Sequence, residues 1–368
     1  MRVVLSLVAL TAAASPVAAQ ADGERSYEGT AGPAPIVLSL AAPDSGNHVS
    51  GRYFRRSDRR DIELEGERRG DALSFDAGTE GDRLDLRVHD DALVGTLTTA
   101  GKRLPVRLTR VTVAKEVPAE APADLSLHEK LQLAGLRLEA GAVETIAGRR
   151  VRWFREAQSG VRLFRLETGY GSEPTVAINA ALAQNQWRDV SASFGCTRVD
   201  GGPGMDGAVA GNPWLSDEYV SYRWRAGWDC GHASQHEVTV DGHSFDARTG
   251  RELTLDQVLP VGGGPVPPEG SERWYPYRRD VFAPAVTALL RRTHAAEMKP
   301  VAPEDDACPY DDPEVWAMPA WQLTREGLWL GARFPRAAGF CDNPEWSVLP
   351  WSALQARRTS GKGAGTRF

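Results

Sequence analysis

Scarcity sets the first limits. The chain has four cysteines in 368 residues, and they are widely scattered. A structural metal site would need clustered Cys or His ligands from several elements, and that spacing is missing. No G-x-S-x-G elbow is present, so the usual serine-hydrolase turn has no candidate. His232 and His236 are four residues apart, but Ala233, Ser234 and Gln235 stand between them, without the glutamate of an HExxH site. The acidic residues Glu304, Asp305, Asp306, Asp311 and Asp312 surround Cys308, yet no glycine and terminal glutamate follow in EF-hand register. Gly262 to Gly264 lie between prolines and lead into no helix, which removes them as a phosphate cradle. No strong basic excess exists either: 43 Lys and Arg against 49 Asp and Glu give a net charge of −6, which argues against a general nucleic-acid binder.

Long apolar runs are confined to the N-terminus. Arg2 precedes an uncharged stretch from Val3 to Ala14, and small residues follow the Ser15-Pro16 break. Val17 and Ala19 meet the small-residue rule for signal peptidase, so residues 1–19 are expected to be a secretory signal. The stretch is shorter than the ~20 residues of a spanning helix. No cysteine follows that could carry a lipid. The mature chain is therefore expected to be periplasmic or secreted, with no membrane anchor after cleavage. In such a compartment an even number of cysteines favours disulfides. Of the three pairings that four cysteines allow, Cys196–Cys230 and Cys308–Cys341 are preferred, because each closes a loop of moderate length.

The expected fold is α+β in two domains. Residues 26–113 read as short strands punctuated by Gly66, Gly70, Gly78, Gly81 and Gly101, with no helical periodicity, as in a small all-β barrel or sandwich. Residues 114–126, AKEVPAEAPADLS, have linker composition. Residues 127–356 mix elements: a hairpin around Gln158-Ser159-Gly160, a helix from Pro174 to Trp187, strands at Tyr219–Trp228 and Glu237–Phe245, a helix from Val281 to Met298, and a hairpin over Arg325-Glu326-Gly327. Residues 357–368 are basic and glycine-rich and are expected to be disordered.

Several local patterns of the second region occur in a distinctive order. AINAALAQN, carrying Asn179, precedes Cys196, Trp214-Leu215-Ser216 and Cys230-Gly231-His232. FDARTGRELTLDQVL follows, then LTREGLWL, Cys341 and VLPWSAL. Over residues ~150–356 this resembles the extracytoplasmic domain of unknown function of RsiV-like anti-sigma factors, which bind lysozyme; the same domain occurs alone in secreted proteins. The family usually has two glycines and then Ala-His-Pro after the cysteine, and Cys230-Gly231-His232-Ala233-Ser234 departs from that. The N-terminal region resembles the small β modules that precede such domains.

Tyr222, Trp224 and Trp228 share parity on one strand and so lie on one face; exposed, they would suit a protein or glycan ligand, and buried, they are core. With His232 they are the candidate ligand-binding residues. His236 and His243 are separated by an odd number, which on a strand turns them to opposite faces. Arg52 to Arg69, rich in arginine and interleaved with acids, reads as a charged hairpin, with an anion contact as the sharper alternative. The sequence thus points to an exported, non-enzymatic binding protein, needing no cofactor and no metal. Its implied partner is a lysozyme-like muramidase or a cell-wall glycan. The rivals are an envelope hydrolase using His232, His236 and Asp241, and a purely structural secreted protein.

Overall fold

The structure, a computed structural model, describes residues 23–42, 46–78, 82–198, 201–211, 213–231, 237–300 and 307–360. The expected signal peptide, His232, His236 and residues 361–368 lie outside them. The fold is mostly β with a few helices, and the chain divides into two compact units.

The first unit is a closed barrel, which resolves the barrel-or-sandwich alternative. Eight strands run up and down in sequence order: β1 (Arg25–Ala31), β2 (Ala34–Leu40), β3 (His48–Arg55), β4 (Ile62–Arg69), β5 (Ala72–Ala77), β6 (Arg83–His89), β7 (Ala92–Thr99) and β8 (Lys102–Val111). Each pairs antiparallel with the next, and β1 closes the ring against β8. Alternation places Tyr27, Leu38, Leu64, Phe75, Leu86 and Leu108 inside. Inward positions in mid-strand carry glycine where the barrel coils most tightly. A Cβ on Gly95 would stand 1.9 Å from the Asp85 carbonyl oxygen, and one on Gly66 2.0 Å from that of Ser74. In the arginine-rich hairpin, Tyr53 points into the barrel while Phe54 packs outside with Val37 and Leu131.

The segment expected to be a linker is shared between the units: Glu116–Pro122 belongs to the second and Ala123–Leu131 to the first. Ser126 starts α1 (Leu127–Leu133) with a capping box, its Oγ accepting from the Glu129 amide and the Glu129 carboxylate accepting from its own. His128 bonds the buried Ser39 hydroxyl at 2.9 Å, so α1 begins as a cover on the barrel wall rather than as the start of the second domain.

In the second unit, β9 (Leu138–Ile146), β10 (Arg149–Glu156) and β11 (Arg162–Thr168) form one sheet. The long helix α2 (Ser172–Phe194) follows. A second sheet contains β12 (Met205–Ala210), β13 (Trp214–Leu215), β14 (Tyr219–Trp228) and β15 (Glu237–Asp246), with β14 at its centre. Short helices α3 (Leu255–Val258) and α4 (Trp274–Tyr277) precede a π-helical turn, Arg278–Phe282, and α5 (Ala283–Thr293). The last sheet is β16 (Ala320–Leu323), β17 (Gly327–Gly331) and β18 (Val348–Pro350), with α6 (Trp351–Ser360) behind it. The helix-forming run Ala353-Leu354-Gln355-Ala356 carries α6 through Ser360, into the stretch expected to be disordered. One face of β14 meets β11 and α2, where Tyr222 contacts Phe164 edge-on. The other meets the β16–β17 hairpin, where the Arg223 guanidinium lies 3.9 Å over the Trp329 ring. Both preferred disulfides, Cys196–Cys230 and Cys308–Cys341, are formed. Among the described residues no helix is long and apolar enough to cross a membrane.

Candidate functional site

The most specific stretch of the sequence, FDARTGRELTLDQVL, builds one wall of a groove. Phe245 is buried, and Asp246 turns the chain by accepting from the Arg248 and Thr249 amides at 2.8 and 2.9 Å. Gly250 holds φ +75°, and a Cβ there would come within 2.9 Å of the Pro174 carbonyl oxygen. Thr254 and Gln257 exchange the two hydrogen bonds of a capping box at the start of α3. Leu255 and Val258 then enter the main core beside Trp316 and Leu290. The two carboxylates of the stretch that the turn does not use, Glu252 and Asp256, both line the groove.

The groove, about 530 Å³, lies beside β15 and is flanked by Trp274 and Trp321. Its carboxylates are Asp241, Glu252, Asp256 and Glu269. Two are already balanced: Asp256 pairs at 3.0 Å with the deeply buried Arg278, and Asp241 lies 3.3 Å from Arg333 on the surface. Trp274 Nε1 donates to the second oxygen of Asp256, which fixes the indole at the groove wall. Arg278 also donates through Nε to the Ala317 carbonyl. Burial lowers its pKa, opposed by Asp256.

A polar cluster adjoins the groove at His243. Its ring stacks on Tyr222, its direct partner across the β14–β15 ladder, with 4.9 Å between centroids. Nδ1 lies 2.7 Å from Glu252 Oε1. A carboxylate in this geometry accepts, so the Nδ1 proton is held there and Nε2 keeps its lone pair in the neutral ring. Asn185, on α2, donates through Nδ2 to the Tyr222 hydroxyl at 3.2 Å and packs against the His243 ring. Burial drives the Tyr222 phenol well above its ordinary range. One helical turn beyond Asn185, the half-buried Asp189 is pushed up to about 7, first by burial; the Asp241 charge adds to the rise and His243 opposes it.

Asp189 therefore has a proton in the folded protein at pH values where it has lost it in the unfolded chain. Stability falls as pH rises from about 4 to about 7, and the penalty is complete above that. Asp189→Asn should raise stability at pH 8 by roughly 2–4 kcal/mol and change it little near pH 4. All 11 tryptophans lie at or beyond Trp153, so urea unfolding followed by tryptophan fluorescence reads the second unit alone. Equal effects at the two pH values would refute the assignment.

Of the two readings of the candidate aromatics, core and ligand-binding face, the structure gives core for Tyr222 and Trp224. Tyr222 and Trp224 are 1% and 5% exposed, because β14 is covered on both faces, and they act as packing residues. Trp228 is half-buried, its ring 6.3 Å from Trp224. His232 lies outside the described residues. Asp241 and His243, separated by two, instead project to the same side of β15. Asn185, Asp189, Glu252 and Glu269 were not singled out by sequence. The only available signal was a pair of polar residues, Asn185 and Asp189, at helical spacing beside the apolar stripe of α2. The other quoted patterns resolve into packing. Asn179 bridges the amide and carbonyl of Leu166, tying α2 to β11, and Trp214, Tyr219 and Trp351 stack together.

Comparison with known proteins gives no match: no protein-family model, curated protein or solved structure is similar to this chain.

Proposed function

We propose that the protein is an exported binding protein whose second unit takes a cationic ligand in the groove beside β15. The observation that carries this reading is the composition of the groove, with Glu252 and Glu269 available between Trp274 and Trp321. Carboxylates attract a positive surface, and tryptophans supply low-entropy contact area. A lysozyme-like muramidase is the partner implied by the RsiV-like resemblance, and two disulfide crosslinks suit a chain that works in an oxidising compartment. Calorimetric titration of the mature protein with a c-type lysozyme should give saturable micromolar binding that weakens with salt. The double variant Glu252→Gln/Glu269→Gln should weaken it about tenfold, as expected when charge-assisted contacts are lost. No binding at micromolar concentration, or no response to the double variant, counts against this reading.

A second reading, an envelope hydrolase, rests on the titrating carboxyl of Asp189 beside His243. Against it, the hydrogen bond of the His243 imidazole among the described residues goes to Glu252, a carboxylate and not a hydroxyl or thiol nucleophile. Clearing of peptidoglycan suspensions by the native protein and not by His243→Ala would favour hydrolysis.

A further inference from the structure

The barrel's interior has an asymmetry that packing alone does not require. Residues of all eight strands line a cavity of about 280 Å³ at the end where β1 begins. Its floor is apolar, made by Leu40, Val49, Leu73 and Leu93 with the Tyr27 ring. Its rim carries Arg25, Arg68 and Arg110. None of the three is there by accident of a loop. Strand residues two apart face the same side. Arg25 shares the inward parity of Tyr27, Arg110 that of Val106 and Leu108, and Arg68, four residues on, that of Leu64.

Three guanidiniums at one mouth repel one another, and among the described residues little nearby offsets them. Glu24 also lines the cavity but lies 3.7 Å from Arg52. Asp91 stands 3.5 Å from Arg110 with its side chain almost wholly in solvent, where such a pair is worth little. Arg68 gives its Nε proton to the Gly70 carbonyl, which neutralises no charge. An unbalanced cationic rim over an apolar floor matches a ligand with one anionic end and a short apolar body. The cavity is just below the ~300 Å³ at which pockets for drug-sized molecules begin, so the ligand is small.

We propose that this mouth of the barrel binds a small amphipathic anion, a medium-chain or aryl carboxylate. The carboxylate is held by Arg68, Arg110 and Arg25, and the apolar body rests on Leu40, Leu73 and Leu93. This does not depend on the groove of the second unit, whose charge is of the opposite sign.

The test is calorimetric titration of the mature, oxidised protein with octanoate, alongside octanol, octylammonium and inorganic phosphate as probes. Octanoate should saturate one site at micromolar concentration. The alcohol and phosphate should bind at least tenfold more weakly, since each lacks one half of the recognised chemistry, and the ammonium should not bind at this site. Arg68→Gln and Arg110→Gln should each weaken octanoate about tenfold, the change expected for one charge-assisted contact. An unchanged melting temperature in these rim variants confirms that the barrel is intact. No saturable octanoate binding, octanol or phosphate binding as tightly as octanoate, or affinity unaffected by both arginine substitutions each overturns the proposal.

Discussion

Arg278→Ala should destabilise the second unit by about 3–5 kcal/mol, read as a lower urea midpoint in tryptophan fluorescence. Arg278 is 3% exposed, and its guanidinium answers three demands at once. It neutralises Asp256 at 3.0 Å, satisfies the Ala317 carbonyl at 2.8 Å and lies 3.5 Å over the Phe282 ring. Truncation leaves a mostly buried carboxylate unpaired and removes the floor under Trp274. Most of the loss is the cost of that orphaned charge rather than the strength of the pair itself. Arg278→Met combined with Asp256→Asn should therefore recover at least half of the lost stability, because it removes the charge as well as its partner. If Arg278→Ala costs less than 1 kcal/mol, the pair is solvated and the groove wall is not rigid.

The second large effect belongs to Cys308–Cys341. Replacing both cysteines with alanine should lower stability by about 3–4 kcal/mol from loop entropy alone, or about 10 °C in the second unit's melting temperature. The bridge holds a segment that the core needs. Tyr310 donates its hydroxyl proton to the Cys341 carbonyl at 2.9 Å, and Trp316 donates to the Tyr310 carbonyl at 2.7 Å. Trp346 packs against both rings. Releasing Cys308 therefore loosens the anchor of the fully buried Trp316. Thermal scans of the native protein with and without reductant provide the control. A double variant that melts with the native protein would show that the aromatic cluster holds the segment unaided.

Much of this architecture was legible because local and global signals agree. The small all-β unit announced itself through short alternating runs cut by glycine and aspartate, with barrel and sandwich both open, and the preferred pairing of the four cysteines followed from loop length. The boundaries of β14 coincide with YVSYRWRAGW. What could not be read has specific physical causes. β9 is a largely exposed strand whose apolar residues do not alternate with polar ones, so it carries no periodic signal. Parity placed Tyr222, Trp224 and Trp228 on one face, but whether a face is covered depends on α2 and β11, distant in sequence. Asp189 looks like any solvent-side aspartate on a helix until the fold sets it near Asp241 and His243. The FDARTGRELTLDQVL segment is conspicuous in sequence, yet most of its residues serve a turn, a cap and a core, and its contribution of charge to the groove is Glu252 and Asp256.

The seam between β1 and β8 also constrains how the chain is made. A ring of eight strands has no free edge once its last member is in place, and until then it has two. Everything from Arg25 to Thr99 can be laid down in order by neighbouring hairpins, but sealing waits for Lys102–Val111, some eighty residues after the first strand. A chain emerging N-terminus first thus passes through a stage in which β1 and β7 offer unsatisfied amides and carbonyls to any passing strand. Truncation before Val111 should yield aggregates rather than a smaller barrel.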